Sequence, residues 1–388
     1  MYIIKNGKVL TMANVEYDDG YVVVDGNKIV EVGQGGNDIS GADVIDAQGG
    51  YILPGFIDAH CHIGMWEDSV GEEGADGNEG TDPVTPQLKA LDGVYNYDKA
   101  FREAYEAGVT SVVTGPGSAN VIGGQFIALK TYGKVLDDMI IKDPVAVKIA
   151  FGENPKSVYG ERKEMPTTRM AVAALVREYM EKAKEYVAKK KKHRDNAEEN
   201  DMPEYDPKLE ALELVLEKKI PFKAHAHRAD DIATAIRLAK EFDVDITLDH
   251  CTEGHLITDT LLKHKLPVIL GPILCDRSKI ELRNSSVKAP KIVSDAGVDV
   301  AIMTDHPVIP IQYLSLSAAI AAREGMDKKK ALEAITINAA RSTGIEDRVG
   351  SLEKGKDADL VIFDNHPFLL ESKVQYTIIN GEIIYDNK

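Results

Sequence analysis

The sequence predicts an α/β fold: a (β/α)8 TIM barrel carrying a small β-sandwich domain built from both chain termini. Three features of the 388 residues point there. Both ends read as short strands and turns, the middle alternates strand with helix, and several of the middle strands end in histidine or aspartate.

Residues 1–52 alternate apolar and polar side chains in "MYIIKNGKVLT", "GYVVVDGNKIVEVG" and "ADVIDAQGGYILP", each cut by Asn-Gly, Asp-Gly or Gly-Gly. "ADLVIFD" and "VQYTIINGEIIYD" repeat that texture near the other end. Residues 1–53 and 351–388 are therefore expected to form the small domain, and 54–350 the barrel. Its strand candidates are 56–62, 110–115, 125–131, 145–152, 221–227, 245–250, 266–271 and 298–305. Helical periodicity separates most of them, as in "YDKAFREAYEAG" and "ADDIATAIRLAKEFD". A doubly wound open sheet is the main competitor. It would carry a glycine-rich phosphate loop after its first strand, and "HCHIGMWED" stands there instead. The Gly- and Asp-rich stretch 72–83 reads as a long loop at the barrel mouth, a lid or a plain surface loop. The lysine-rich stretch within 167–200 reads as a solvated helix extension.

Composition narrows the function. A formal net charge of -17 argues against a nucleic-acid partner. No apolar run approaches the roughly 20 residues of a membrane helix, and the first residues lack a signal-peptide layout. Only Cys61, Cys251 and Cys275 are present, so no disulfide framework is implied. A cytoplasmic protein acting on a small molecule is expected, and a homo-oligomer is compatible with this.

The strand ends carry the chemistry. Alternate residues of a strand share a face. In "DAHCH", His60 and His62 therefore point the same way, with Asp58 one step deeper and Cys61 opposite. "FKAHAH" repeats the device with His225 and His227, "TLDH" ends on His250, and "IMTDHP" ends its strand on Asp305. Five histidines and a carboxylate at four strand ends are hard to explain as core filling, because unsatisfied buried polar groups cost several kcal/mol. A divalent metal satisfies many at once. Imidazole and carboxylate ligands suit zinc best, with iron or manganese as alternatives.

With "PGFIDAHCH" at the first barrel strand and "GSLEKGKDADLVIFD" near the end, the whole chain resembles the amidohydrolase superfamily, nearest its imidazolonepropionase-like and prolidase-like branch. The resemblance implies metal ligands at His60, His62, His225, His250 and Asp305, with one or two ions. In such enzymes the fourth strand supplies a carboxylated lysine or a glutamate, and "VAVKIAFGENPK" offers both. Lys148 has inward parity with small neighbours, Ala150 and Gly152. Glu153 stands at the strand end, which favours it as the ligand. The expected reaction is hydrolysis of an amide or cyclic amide C–N bond, with the metal supplying reactive water and a Lewis acid. Asp305 would move the proton and His227 would contact substrate or brace a ligand. Deamination of an amino-substituted ring and dipeptidase or prolidase-like cleavage are the alternatives, and a metal-binding scaffold without catalysis is the non-enzymatic one. Arg228, His255, His306 and the segment 115–125 are further candidates at the rim.

Overall fold

The computed structural model describes residues 1–36, 39 and 41–388. Two eight-stranded sheets organise them. The first takes five strands from the N-terminal region: β1 (Tyr2–Leu10), β2 (Glu16–Asp25), β3 (Lys28–Gln34), β4 (Asp43–Asp46) and β5 (Tyr51–Pro54). The barrel strands follow as β6 (Phe56–Cys61), β7 (Val109–Thr114), β8 (Ile122–Lys130), β9 (Ile140–Ala150), β10 (Phe222–Ala226), β11 (Ile246–His250), β12 (Val268–Leu270) and β13 (Val300–Ile302). β14 (Leu360–Phe363), β15 (Val374–Ile379) and β16 (Glu382–Asp386) then return to the first sheet.

In that sheet the order is β16-β15-β14-β5-β1-β2-β3, with β4 paired to β1. β5 is the seam between the two chain ends, parallel to β1 on one side and antiparallel to β14 on the other. The sheet curls: Lys28 at the start of β3 bridges to Asp357, just before β14. Ile4, Val22, Ile29, Ile52, Leu360 and Ile378 meet in the core it wraps. Asn380-Gly381 makes the two-residue turn from β15 to β16, both with positive φ, as such a turn requires. Asn6-Gly7, expected as a turn, is an irregularity inside β1. A Cβ on Gly7 would lie 2.9 Å from Gly50 O, so glycine lets the segment before β5 pass close.

The barrel strands lie in sequence order, β6 through β13. The ring closes through Asp305 N donating to His60 O (3.3 Å) and His62 N donating to His306 O (2.8 Å). All eight anticipated strand segments are strands. One departure concerns direction: β8 is antiparallel to both β7 and β9. The linkers 115–121 and 131–139 explain it, since a parallel crossover needs a dozen or more residues. No α-helix stands on either side of β8.

The helices are α1 (Lys99–Glu106), α2 (Glu153–Glu161), α3 (Arg169–Asp195), α4 (Pro207–Leu216), α5 (Ala229–Phe242), α6 (Thr258–His264), α7 (Ala289–Asp295), α8 (Leu314–Arg323), α9 (Lys328–Glu333) and α10 (Ile337–Thr343). Side-chain caps start several. Asp98 accepts from Ala100 N, Thr168 from Ala171 N, and Asp206 from Lys208 N with Pro207 behind it. The lysine-rich stretch continues α3 to Asp195, its polar face exposed. Among the described residues no helix is long and apolar enough to cross a membrane.

Between the two sheets lies a buried ion cluster. Lys130 at the end of β8 donates to Asp357 (3.0 Å) and to Asp359. Asp357 also receives Lys28 (2.7 Å) and Arg348 (2.8 Å).

Candidate metal centre

The C-terminal ends of the barrel strands gather the predicted side chains. One group comprises His60, His62 and Asp305, and a second His225, His227 and His250. Within each group one ligand atom per residue lies within 4.8 Å of the others. The rings of His60 and His250 are 5.2 Å apart, so the groups adjoin. Phe126 packs beneath them, 5.3 Å from His60 and 6.2 Å from His62.

Backbone geometry helps aim these groups. Asp305 has φ 56, His250 φ 67 and Cys251 φ 47, a left-handed region that costs a non-glycine residue about 1–3 kcal/mol. On β11 the inward parity belongs to Thr247 and Asp249, the latter in register with His225. The turn at His250 brings its ring to 4.2 Å from that of His225 nonetheless.

Hydrogen bonds assign the imidazole tautomers. His60 Nδ1 meets Asp249 Oδ2 at 2.6 Å, His62 Nδ1 meets Gly115 O at 2.7 Å and His250 Nδ1 meets Gly271 O at 3.0 Å. Carbonyl and carboxylate oxygens only accept, so each Nδ1 donates, and in the neutral rings of His60 and His250 Nε2 carries the lone pair. Burial pushes the pKa of His60, His225 and His250 well below the ordinary histidine value, and that of His227 to about 3. All four are neutral at pH 7. Asp305 Oδ1 lies 3.2 Å from His62 Nε2 and 3.6 Å from His60 Nε2. Both Nε2 atoms and the carboxylate thus converge on one small volume. His250 Nε2 is buried with no hydrogen-bond partner. A divalent cation would satisfy His250 Nε2 and the converging atoms of His60, His62 and Asp305, so the residues fit one.

Lys148 and Glu153 part company. Lys148 is fully buried in β9, its Nζ 3.3 Å from His60 Nε2. Burial lowers its pKa to about 8, against the pull of Asp249 and Asp305. Gly152, at φ 90, turns the chain out of the strand, and Glu153 becomes the first residue of α2. Its N–H donates to Glu281 Oε2 (2.9 Å). Its side chain joins neither group, nor does it line the cavity above them.

That cavity, about 340 Å³, is lined by His62, Trp66, His225, His227, His250 and Asp305, with Asn154, Lys279 and the apolar Leu282 and Val308 among others. Asn78, from the Gly- and Asp-rich loop, and Gly117, from the glycine-rich segment, reach its wall. Arg228 does not, being turned to Asp230 by two 2.9 Å bonds. His255 Nδ1 donates to Thr252 O (3.0 Å), and His306 Nδ1 accepts from Ile311 N (3.2 Å). Asp58 braces the wall instead of entering the site, accepting from Thr304 N (3.0 Å) and His60 N (3.1 Å). Burial lifts its pKa to about 7. Cys61 faces away, its thiol on Val113 O.

Three neighbours of the site escaped the sequence reading. Asp249, which holds His60, also receives Lys223 Nζ (3.1 Å) and the Thr247 hydroxyl (2.9 Å). Lys223 donates besides to Ala59 O (2.9 Å). Glu281 is fully buried, with Oε1 unpartnered and 3.8 Å from His227 Nε2. Asp249 and Lys223 share inward parity with His225 or its register partner, a signal that could have found them. Glu281 lies outside any strand, with no pattern to mark it.

Comparison with known proteins agrees with this architecture. Residues 51–384 match the model of the Amidohydrolase family. A crystal structure of an amidohydrolase from Thermotoga maritima MSB8 superposes with a TM-score of 0.96 at 43% identity, covering 100% of both chains. The imidazolonepropionase of Fusobacterium nucleatum is 25% identical over 98% of this chain and 94% of its own. The amidohydrolase tasK of Hapsidospora irregularis is 29% identical over 89% of this chain, which spans 37% of that longer protein. The chain belongs to the Amidohydrolase family, whose metal-dependent members hydrolyse carbon–nitrogen bonds.

Proposed function

We propose that the protein hydrolyses an amide or cyclic amide bond of a small molecule at a two-cation centre. The observation that carries this reading is the convergence of His60, His62 and Asp305, whose ligand atoms lie within 4.8 Å of one another, with His62 Nε2 3.2 Å and His60 Nε2 3.6 Å from Asp305 Oδ1. His60, His62 and Asp305 would hold one ion, and His225 and His250 a second. Lys148 stands beside His60, where a carboxylated nitrogen would serve both ions, and this supports it over Glu153. Zinc suits the donor set best. When bound, the cations supply water ionised near neutral pH and a Lewis acid for the substrate carbonyl.

The protein's own groups do the rest. Asp305, partly open to the cavity, accepts the proton of the attacking water and returns it to the leaving nitrogen. His227, held through Nδ1 by the Thr252 hydroxyl at 2.8 Å, orients the carbonyl oxygen. Trp66, edge-on to His62 at 5.1 Å, and Leu282 exclude bulk water from the reacting bond. The test is a hydrolysis screen of metal-replete protein over N-acyl amino acids, dipeptides and cyclic ureides. Release of an amine and an acid from at least one class is expected. Ammonia from aminated rings, with no amide cleaved, would replace this reading with deamination.

A further inference from the structure

The cavity carries one ammonium group that the chemistry above does not use. Lys279, in the loop between β12 and α7, lines the cavity. Its Nζ donates to Asn154 Oδ1 at 2.5 Å. Asn154 is itself fixed: its Nδ2 donates to Ser118 Oγ at 2.7 Å and lies 3.5 Å from His225 Nε2. This chain of contacts holds the cation over the His225 side of the centre. Its charge reaches both His225 and His227, helping to push their pKa values down. Among the described residues no carboxylate pairs with Lys279 within 4.0 Å, although the chain carries 63 Asp and Glu against 46 Lys and Arg. Asp276 also borders the cavity, but as an exposed residue. The charge of Lys279 reaches Glu281, but the two make no ion pair within 4.0 Å, and Glu281 spends Oε2 on Glu153 N. Arg228, the other cation near the rim, is taken by Asp230.

Lys279 is partly buried at the cavity wall with a neutral amide as its hydrogen-bond partner, so its charge is open to an anion entering the cavity. We propose that Lys279, positioned by Asn154, binds a carboxylate of the substrate close to the scissile bond. The substrate class is then a small amide bearing a carboxylate a few bonds from the cleaved C–N bond, with its apolar part against Trp66, Leu282 and Val308. This inference rests on the amide-hydrolase reading and narrows it.

Monohydroxamates of malonic, succinic and glutaric acid test it, against the uncharged alkyl hydroxamates of equal length. The hydroxamate head anchors on the cations of metal-replete protein whether or not any amide is cleaved. At least one acid should bind roughly ten-fold or more tighter than its uncharged partner, the scale of a charge-assisted hydrogen bond. Lys279→Met should erase that preference while leaving the uncharged probes unchanged, and Lys279→Arg should restore part of it. A preference that is absent, or that survives Lys279→Met, overturns the inference and leaves amide hydrolysis standing. If no hydroxamate of either kind binds, the metal centre falls and the inference with it.

Discussion

Replacing Asp249 by asparagine isolates the brace behind the metal centre. The carboxylate is fully buried and serves three donors: His60 Nδ1, Lys223 Nζ and the Thr247 hydroxyl. The Lys223 side chain is 1% exposed. Burial presses its pKa below the lysine range while Asp249 holds it up. The amide keeps the shape and removes the charge, leaving the ammonium with Ala59 O alone. Stranding one partner of a buried pair costs about 3–5 kcal/mol. The pair should therefore show in a double-mutant cycle. Asp249→Asn lowers stability by about 3 kcal/mol, and Asp249→Asn with Lys223→Met recovers most of it, because no charge is then left stranded. Metal affinity should not recover. Loss of the carboxylate that orients a ligating imidazole typically costs about 10–100-fold in affinity. Denaturant unfolding of metal-free protein reads the first quantity, and competition against a chromophoric chelator reads the second. A single variant losing under about 1 kcal/mol, or a double variant with native metal affinity, would refute the reasoning.

Further outcomes follow from the same geometry. Asp305→Asn should retain much of its metal by elemental analysis while turnover falls by about 10²–10⁴, the scale of a lost general acid–base group. With its pKa lowered to about 8 by burial, the Lys148 amine is increasingly free of its proton as pH rises through that value. Exposure to 13C-bicarbonate should then label one carbamate in wild-type protein, more fully at pH 8.5 than at pH 7, and none in Lys148→Met. Lys130→Met takes the ammonium from Asp359 while Asp357 keeps Lys28 and Arg348, and it should cost about 3 kcal/mol in denaturant unfolding. Burial pushes the Asp357 carboxyl up, but Lys130, Lys28 and Arg348 outweigh it and hold its pKa below the usual carboxylate value. The stability this lends is complete above the unfolded value of about 3.9 and is lost as pH falls through the folded one. The stability gap between wild type and Lys130→Met should therefore be full above about pH 4 and narrow below it.

Much of the fold is legible because a strand buried on both faces writes itself as a compact apolar run. Eight such runs are the eight barrel strands. Strand direction is not in that signal, so the reversal of β8 had to come from the short linkers on either side. The polar positions at strand ends stood out for a physical reason: nothing but chemistry justifies histidine where valine would pack. Lys148 was equally visible by parity, and Glu153 was favoured because it follows the strand directly. Gly152, with its positive φ, turns the chain there, so that Glu153 begins a helix and does not extend the strand. Asp249 and Lys223 were legible in principle, through the alternation that exposed His225, but they were hidden by the histidine beside each. Glu281 and Lys279 come from a loop, where position follows from tertiary packing and not from any repeat.

The seam at β5 has a consequence for how the polypeptide is made. Tyr51–Pro54 leaves the ribosome early, and its antiparallel neighbour Leu360–Phe363 leaves long afterwards. Through most of translation the nascent N-terminal module therefore presents a bare strand edge and an open apolar face. Lys130 likewise waits for the aspartates that will neutralise it. Chaperone contact during synthesis should concentrate on that unfinished edge and end once the final strands are threaded into place.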